Sequence, residues 1–180
     1  PRCHAPLIQG SFARIADRSM NKHRVEPGPE QESVWDYPRP PRLEACTSHI
    51  KIVCGGVTIA DTHESYRVLE TSHPPTYYIP PADVQAGVLV PTARKSLCEW
   101  KGVARYFHLF VDEFSVENAA WSYPQPTPEF EAIRDYVAFY AHLMDACYVD
   151  GERVQAQAGG FYGGWVTSHV EGPFKGGQGT

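Results

Sequence analysis

The densest run of chemically capable side chains is Leu69-Glu70-Thr71-Ser72-His73-Pro74-Pro75-Thr76-Tyr77-Tyr78-Ile79-Pro80-Pro81. A strand that ends in a carboxylate and enters a stiff proline loop can present Glu70 as a general base or ligand anchor. His73, Tyr77 and Tyr78 then add proton-carrying or hydrogen-bonding groups. The same residues equally fit a rigid surface turn in which Glu70 accepts hydrogen bonds from amides or an arginine. A second group is Cys98-Glu99-Trp100-Lys101-Gly102. A thiol three residues from an ammonium can have its thiolate favoured and turn nucleophilic. In a continuous strand, however, Cys98 and Trp100 share one face and Glu99 and Lys101 the other. Thiol and ammonium then meet only if the strand twists or bulges at Gly102. Otherwise Cys98 is an inert core thiol and Lys101 half of a surface ion pair. Trp100, Tyr106, Trp121 and Tyr123, with Phe139 and Tyr140, either line a pocket for a planar or cationic ligand or fill the core of a small β-domain.

The elements that must position these groups are mostly short period-2 runs, the pattern of half-buried strands. Ile50, Ile52 and Cys54 share one face, Gly55-Gly56 turns the chain, and Val57–Ala60 returns as the second arm of a hairpin. Further strands are expected at 66–70, 77–79, 97–100, 103–111, 116–121, 146–149 and 152–154, the last two flanking the hairpin signal Asp150-Gly151. One helix is predicted from Thr127, with Pro128 at its first position and Phe130, Ile133, Val137 and Tyr140 on one face. A shorter helical turn is expected at Pro81-Ala82-Asp83. The chain therefore reads as mainly β, built from antiparallel hairpins with one or two short helices.

Around this core (46–154) lie two segments of different composition. Residues 1–45 read as a proline-rich arm, because Pro27, Pro29, Pro38, Pro40 and Pro41 remove amide donors and fix φ. The arm's Trp35 and Tyr37 imply that it docks, on its own domain or on a second copy. Residues 155–180 form a glycine- and aromatic-rich tail through Gly159-Gly160-Phe161-Tyr162-Gly163-Gly164-Trp165. The hexads beginning at Trp35 and Trp121 match as Trp-x-Tyr-Pro-x-Pro, so the two segments can make similar contacts on different surfaces.

Composition narrows the function classes. At 180 residues, 42% hydrophobic and 21% charged, the chain is an ordinary globular protein. The net charge of −5 makes a broad phosphate-binding surface unexpected, so nucleic acid is a poor partner. No apolar run has membrane-spanning length and the first residues lack the apolar stretch of a secretory signal, so a cytoplasmic protein is expected. Cys3, Cys46, Cys54, Cys98 and Cys147 include no Cys-x-x-Cys pair, and the eight histidines lack metal-ligand spacing. Neither a metal nor a cofactor is expected. The tail glycines lack the Lys and Ser/Thr of a phosphate loop, and no nucleophile elbow occurs.

Four segments, 69–80, 98–102, Ala119-Ala120-Trp121-Ser122-Tyr123-Pro124 and Ala138-Phe139-Tyr140, resemble in that order the family known as domain of unknown function 427. The resemblance covers most of 46–154. The arm around Trp35 and the tail resemble the longer members of that family. It implies a β-tent-like fold, two antiparallel sheets meeting at an angle. Relatives of that fold commonly hold a zinc on four cysteines, so here a metal-free version is implied. The family carries a nucleotidyltransferase label, but this chain shows neither the paired carboxylates nor the glycine turn of metal-nucleotide transfer.

The leading expectation is a small-ligand-binding domain, or an enzyme acting on that ligand. Its pocket is expected from Glu70, Tyr77, Tyr78, Trp100, Lys101 and Trp121, with His73, Cys98 and Tyr123 beside them. In chemistry Glu70 is the proton acceptor, Lys101 stabilises developing negative charge, and Tyr77 or Tyr78 donates. The alternative is a structural or interaction protein whose arm and tail mediate homo-oligomerisation or partner binding.

Overall fold

The computed structural model describes residues 24–176. Cys3 and the rest of the arm before Arg24, and the tail after Gly176, lie outside the described residues. Fifteen strands follow in chain order: β1 (Glu32–Ser33), β2 (Arg42–Cys46), β3 (Ile50–Cys54), β4 (Val57–Thr62) and β5 (Ser65–Leu69). Next come β6 (Thr76–Tyr78), β7 (Leu89–Cys98), β8 (Gly102–Val111), β9 (Phe114–Ser122) and β10 (Val137–Phe139). The last five are β11 (Ala146–Val149), β12 (Glu152–Arg153), β13 (Gln155–Ala156), β14 (Trp165–Val166) and β15 (Val170–Glu171). They form two four-stranded antiparallel sheets, ordered β10-β9-β8-β7 and β12-β11-β3-β4, and a three-stranded antiparallel sheet β2-β5-β6. The pairs β13-β14 and β1-β15 complete a mainly β protein.

The hairpin signals act as their residue types require. Gly55 and Gly56, at φ +62° and +74°, link β3 to β4 and leave Ile50, Ile52 and Cys54 fully buried on one face. Asp150 and Gly151, at φ +50° and +83°, turn β11 into β12. The short turn at Pro81–Asp83 is a 3₁₀ helix.

The predicted helix from Thr127 is corrected. A 3₁₀ helix spans only Pro128–Ile133, and among the described residues there is no α-helix. Asp135 takes φ +61°, and Val137–Phe139 pairs with β9 as β10, its three residues all buried. A strand covered on both faces has no polar alternation, so its spacing from Ile133 to Tyr140 imitates a helical stripe. Thr127 makes no side-chain cap; its hydroxyl instead donates to the Trp100 carbonyl at 2.6 Å.

The described parts of the arm and tail, 24–45 and 155–176, pack into the folded body. Residues 42–45, placed with the arm by its prolines, pair with β5 together with Cys46, and β1 lies parallel to β15. Val34, Tyr37, Leu69 and Val170 form a small apolar cluster, and the Trp35 indole N–H donates to the Pro173 carbonyl at 3.0 Å. Arg67 locks this corner by bonding Glu32 and Glu44. Burial pushes the Glu32 carboxyl up, but Arg67 and the Tyr37 hydroxyl outweigh it and hold it below the usual range.

Two larger clusters lie on opposite faces of shared strands. The main core gathers Ile50, Ile52, Ile59, Leu109, Val111, Phe139, Val149 and Trp165. The second gathers Val68, Tyr78, Tyr106, Trp121, Tyr123, Phe130, Ile133 and Tyr140. β8 sends Ala104 and Tyr106 to the second cluster and Leu109 and Val111 to the main core. β6 splits likewise, Tyr77 to the core and Tyr78 to the second cluster.

Candidate functional site

Above the second cluster opens a cavity of about 400 Å³, the size range of small-ligand sites. Its floor is Tyr78, Tyr106, Trp121, Tyr123 and Tyr140, all buried aromatics. Trp121 and Tyr140 pack with centroids 4.5 Å apart. Burial pushes the hydroxyls of Tyr78, Tyr123 and Tyr140 above their ordinary range, so they stay protonated donors at neutral pH.

One wall is the β7–β8 hairpin. Its ladder closes at Cys98 opposite Gly102, so Glu99, Trp100 and Lys101 form a turn rather than the strand expected through Trp100. Strand alternation stops at Cys98, which is why Cys98, Glu99, Trp100 and Lys101 all line the cavity. Gly102 sits at φ +92° with the Gln125 carbonyl 3.2 Å from where a Cβ would stand. That approach and the Thr127 hydroxyl bond brace the turn. Cys98 is half-buried rather than sealed in the core. Lys101 is only 8% exposed, and its Nζ lies 5.9 Å from the Tyr123 ring centroid and 5.6 Å from that of Phe130.

The opposite wall is the proline loop, laced to both arm and tail by backbone bonds. Ser72 donates to Val34, Thr71 to Pro38, Lys175 to Ser72, and Trp165 to Pro75. Glu70 accepts from Arg39 Nη2 at 2.8 Å, so its carboxylate is held by an arginine at the cavity wall. The His73 Nδ1–H donates to the Thr71 carbonyl at 3.0 Å, which leaves Nε2 as the basic nitrogen. Burial lowers the imidazole below its ordinary range and the Glu70 charge only partly opposes this, so His73 is neutral at pH 7.

The tail closes the third side with Gln157, Phe161, Tyr162, Gly163 and Lys175. The buried Gln157 amide donates to the Lys175 carbonyl at 2.7 Å and accepts from Gly164 at 3.2 Å. Gly163 lies so close to the Trp121 ring that any Cβ would collide with it. Both tryptophans of the Trp-x-Tyr-Pro-x-Pro hexads thus rest on the tail, Trp35 through Pro173 and Trp121 through Gly163.

Of the expected site residues, Glu70, His73, Tyr78, Cys98, Trp100, Lys101, Trp121 and Tyr123 come together around this cavity. Tyr77 does not. It points through the opposite face of β6 into the main core, 5.2 Å from Trp165, because adjacent residues of a strand cannot face the same side. Phe139, one of the aromatics weighed for the pocket, is likewise fully buried in the main core. Arg39, Gln157, Tyr162 and Lys175 were not legible as site residues. The rigid Pro38-Arg39-Pro40 frame was the available signal for Arg39. Among the described residues no cluster of three or more His, Cys, Asp or Glu is placed to hold a metal ion, and no helix is long and apolar enough to cross a membrane.

A family model described as Domain of unknown function (DUF427) matches residues 42–150, more than half of the chain. The chain belongs to the DUF427 family. No curated protein matches it. The DUF427 segment supplies the aromatic floor, the hairpin turn and the proline loop, whereas Arg39, Gln157, Phe161, Tyr162, Gly163 and Lys175 fall outside it.

Proposed function

We propose that this DUF427 protein binds a small polar or planar molecule in the aromatic cavity. The observation that carries the reading is the convergence of charged and aromatic side chains from three distant segments on one cavity of about 400 Å³. Plain core packing needs no such set of ionic groups. In this reading Glu70, held by Arg39, and Lys101 supply charge, Tyr78 and Tyr123 supply hydroxyl donors, and neutral His73 supplies a second proton acceptor. Cys98, Trp100 and Trp121 complete the walls. If the ligand is transformed, the proton goes to Glu70 or His73 and Lys101 faces the charge left behind.

A thermal-shift screen of the full chain and Glu70→Gln against a broad metabolite set tests it, since a ligand that favours the native state raises apparent stability. The expected result is a ligand that stabilises wild type and loses its effect in the variant. A folded wild type that no compound stabilises would overturn the reading. Self-association through the proline-rich arm is the second reading, supported by the arm's aromatic segment. Its described residues Trp35 and Tyr37 already pack on their own chain, so association has to use other surfaces. A monomer at every concentration in size-exclusion chromatography removes it.

A further inference from the structure

Lys101 is chemically out of place. Its stem is covered, the residue being 8% exposed, while its ammonium end reaches the cavity. Among the described residues its Nζ has no hydrogen bond and no ion pair; the rings of Tyr123 and Phe130 are its polarisable neighbours. The indole N–H of Trp100, next in the turn, is buried and has no acceptor among the described residues. Both groups only donate. Lys175, across the cavity, lies over the Tyr162 ring at 5.6 Å and has no carboxylate partner among the described residues. The lining holds three cations, Arg39, Lys101 and Lys175, against two carboxylates, Glu70 and Glu99. One positive charge is left over, and Arg39 is already engaged by Glu70.

We infer that the ligand of this cavity is a planar monoanion, a ring bearing one carboxylate. The inference rests on the small-ligand reading above and names its chemical class. Lys101 receives the carboxylate and the floor aromatics face the ring. A phosphate dianion suits the site less. The free cations are two lysines rather than a bidentate arginine, and Glu70 and Glu99 repel a second negative charge. Because Arg39 and Lys175 come from outside the DUF427-matched segment, the flanks tune the charge of a cavity whose floor the family segment builds.

The test is isothermal titration of the full chain with benzoate and 2-naphthoate, their carboxamides, and phenyl phosphate, on wild type, Lys101→Met and Lys175→Met. The carboxylates are expected to bind wild type about 10- to 100-fold more tightly than the carboxamides, the worth of a hydrogen bond to a charged group. Lys101→Met removes that advantage and leaves carboxamide binding in place. Its thermal stability in the absence of ligand holds, since Met keeps the covered stem and no ion pair is lost. A lysine with a merely structural role would lower it. Should Lys101→Met fail to fold, the inference falls, and Lys175→Met still reports whether carboxylate affinity depends on the second cation. Carboxamides binding as tightly as carboxylates, or phenyl phosphate binding more tightly than benzoate, overturns the monoanion and leaves the small-ligand reading standing. The same holds if neither series binds while the metabolite screen yields a neutral or cationic ligand. If nothing binds in either experiment, both readings fall.

Discussion

Tyr77 and Tyr78 are neighbours in sequence with nearly equal burial, yet they belong to different kinds of interior. Tyr77 faces a cluster of Ile50, Ile52, Leu109, Phe139 and Trp165, where aliphatic and aromatic surface is closed on itself. Tyr78 faces Tyr106, Trp121, Tyr123 and Tyr140, where hydroxyls accumulate under an open cavity walled by charged side chains. A core can dispense with hydroxyls, because each buried one needs a partner. The difference shows that the second cluster gives up aliphatic packing for hydroxyl-bearing rings beneath the cavity, as the proposed binding role needs.

The comparison predicts unequal responses to truncation. Phe139→Ala, on the closed side, is expected to cost about 3–5 kcal/mol, because its fully buried ring leaves a cavity that the sheet cannot collapse around. Chemical denaturation measures this; a cost comparable to that of an exposed substitution would mean the two interiors do not differ as described. On the open side a damaging small change is Gly163→Ala. Its Cβ must displace the Trp121 ring, so about 1–3 kcal/mol of stability is lost and the tail is pushed off the floor. The readout is a shift in tryptophan fluorescence along with the melting temperature. An unchanged spectrum would show that the tail does not seal against Trp121.

How much of this was legible in the sequence follows from which constraints are local. The hairpins at Gly55-Gly56 and Asp150-Gly151 were readable, because turn chemistry and alternation act within ten residues. The helix from Thr127 was misread because Val137–Phe139 is covered on both faces, and a doubly buried strand loses its period. Eight residues of the candidate site were singled out by type, and the same period-2 rule applied to Cys98 and Lys101 would have sent Tyr77 away from Tyr78. Lys175 carries no sequence signal and Arg39 only its Pro38-Arg39-Pro40 frame, for another reason. Their positions depend on the arm and tail both docking on Ser72 and Thr71, contacts between segments about 100 residues apart in the case of the tail. No local pattern encodes such contacts.

Smaller effects sharpen the comparison at the hydroxyl itself. Tyr78→Phe removes an oxygen that touches the polar groups of Trp121 and Tyr123, so it is expected to cost about 1 kcal/mol. The same change at Tyr77, whose hydroxyl makes no side-chain hydrogen bond among the described residues, is expected to cost less. Equal losses in urea melts would erase the distinction between the two faces. Alkaline titration gives an independent view. Burial raises Tyr78, Tyr123 and Tyr140 above the tyrosine value of about 10, so the unfolded chain ionises first and stability falls as pH rises past that point.

The weakest expected signal comes from His73, and its sign is fixed. Burial holds the folded imidazole below its ordinary value of about 6.5, against the pull of Glu70 and the Thr71 carbonyl and with the push of Lys175 and Arg39. As pH falls through that value the unfolded chain takes up a proton that the folded chain refuses. Stability therefore drops on acidification, until the folded-state value is also passed. The Glu32 carboxyl adds its own loss only at lower pH, as it is held below the carboxylate range. His73→Gln keeps a polar side chain and should flatten the slope between about pH 7 and 5 while leaving the lower one. A slope that survives the substitution unchanged would place the titrating group elsewhere and remove the support for a neutral His73 in the proposed site.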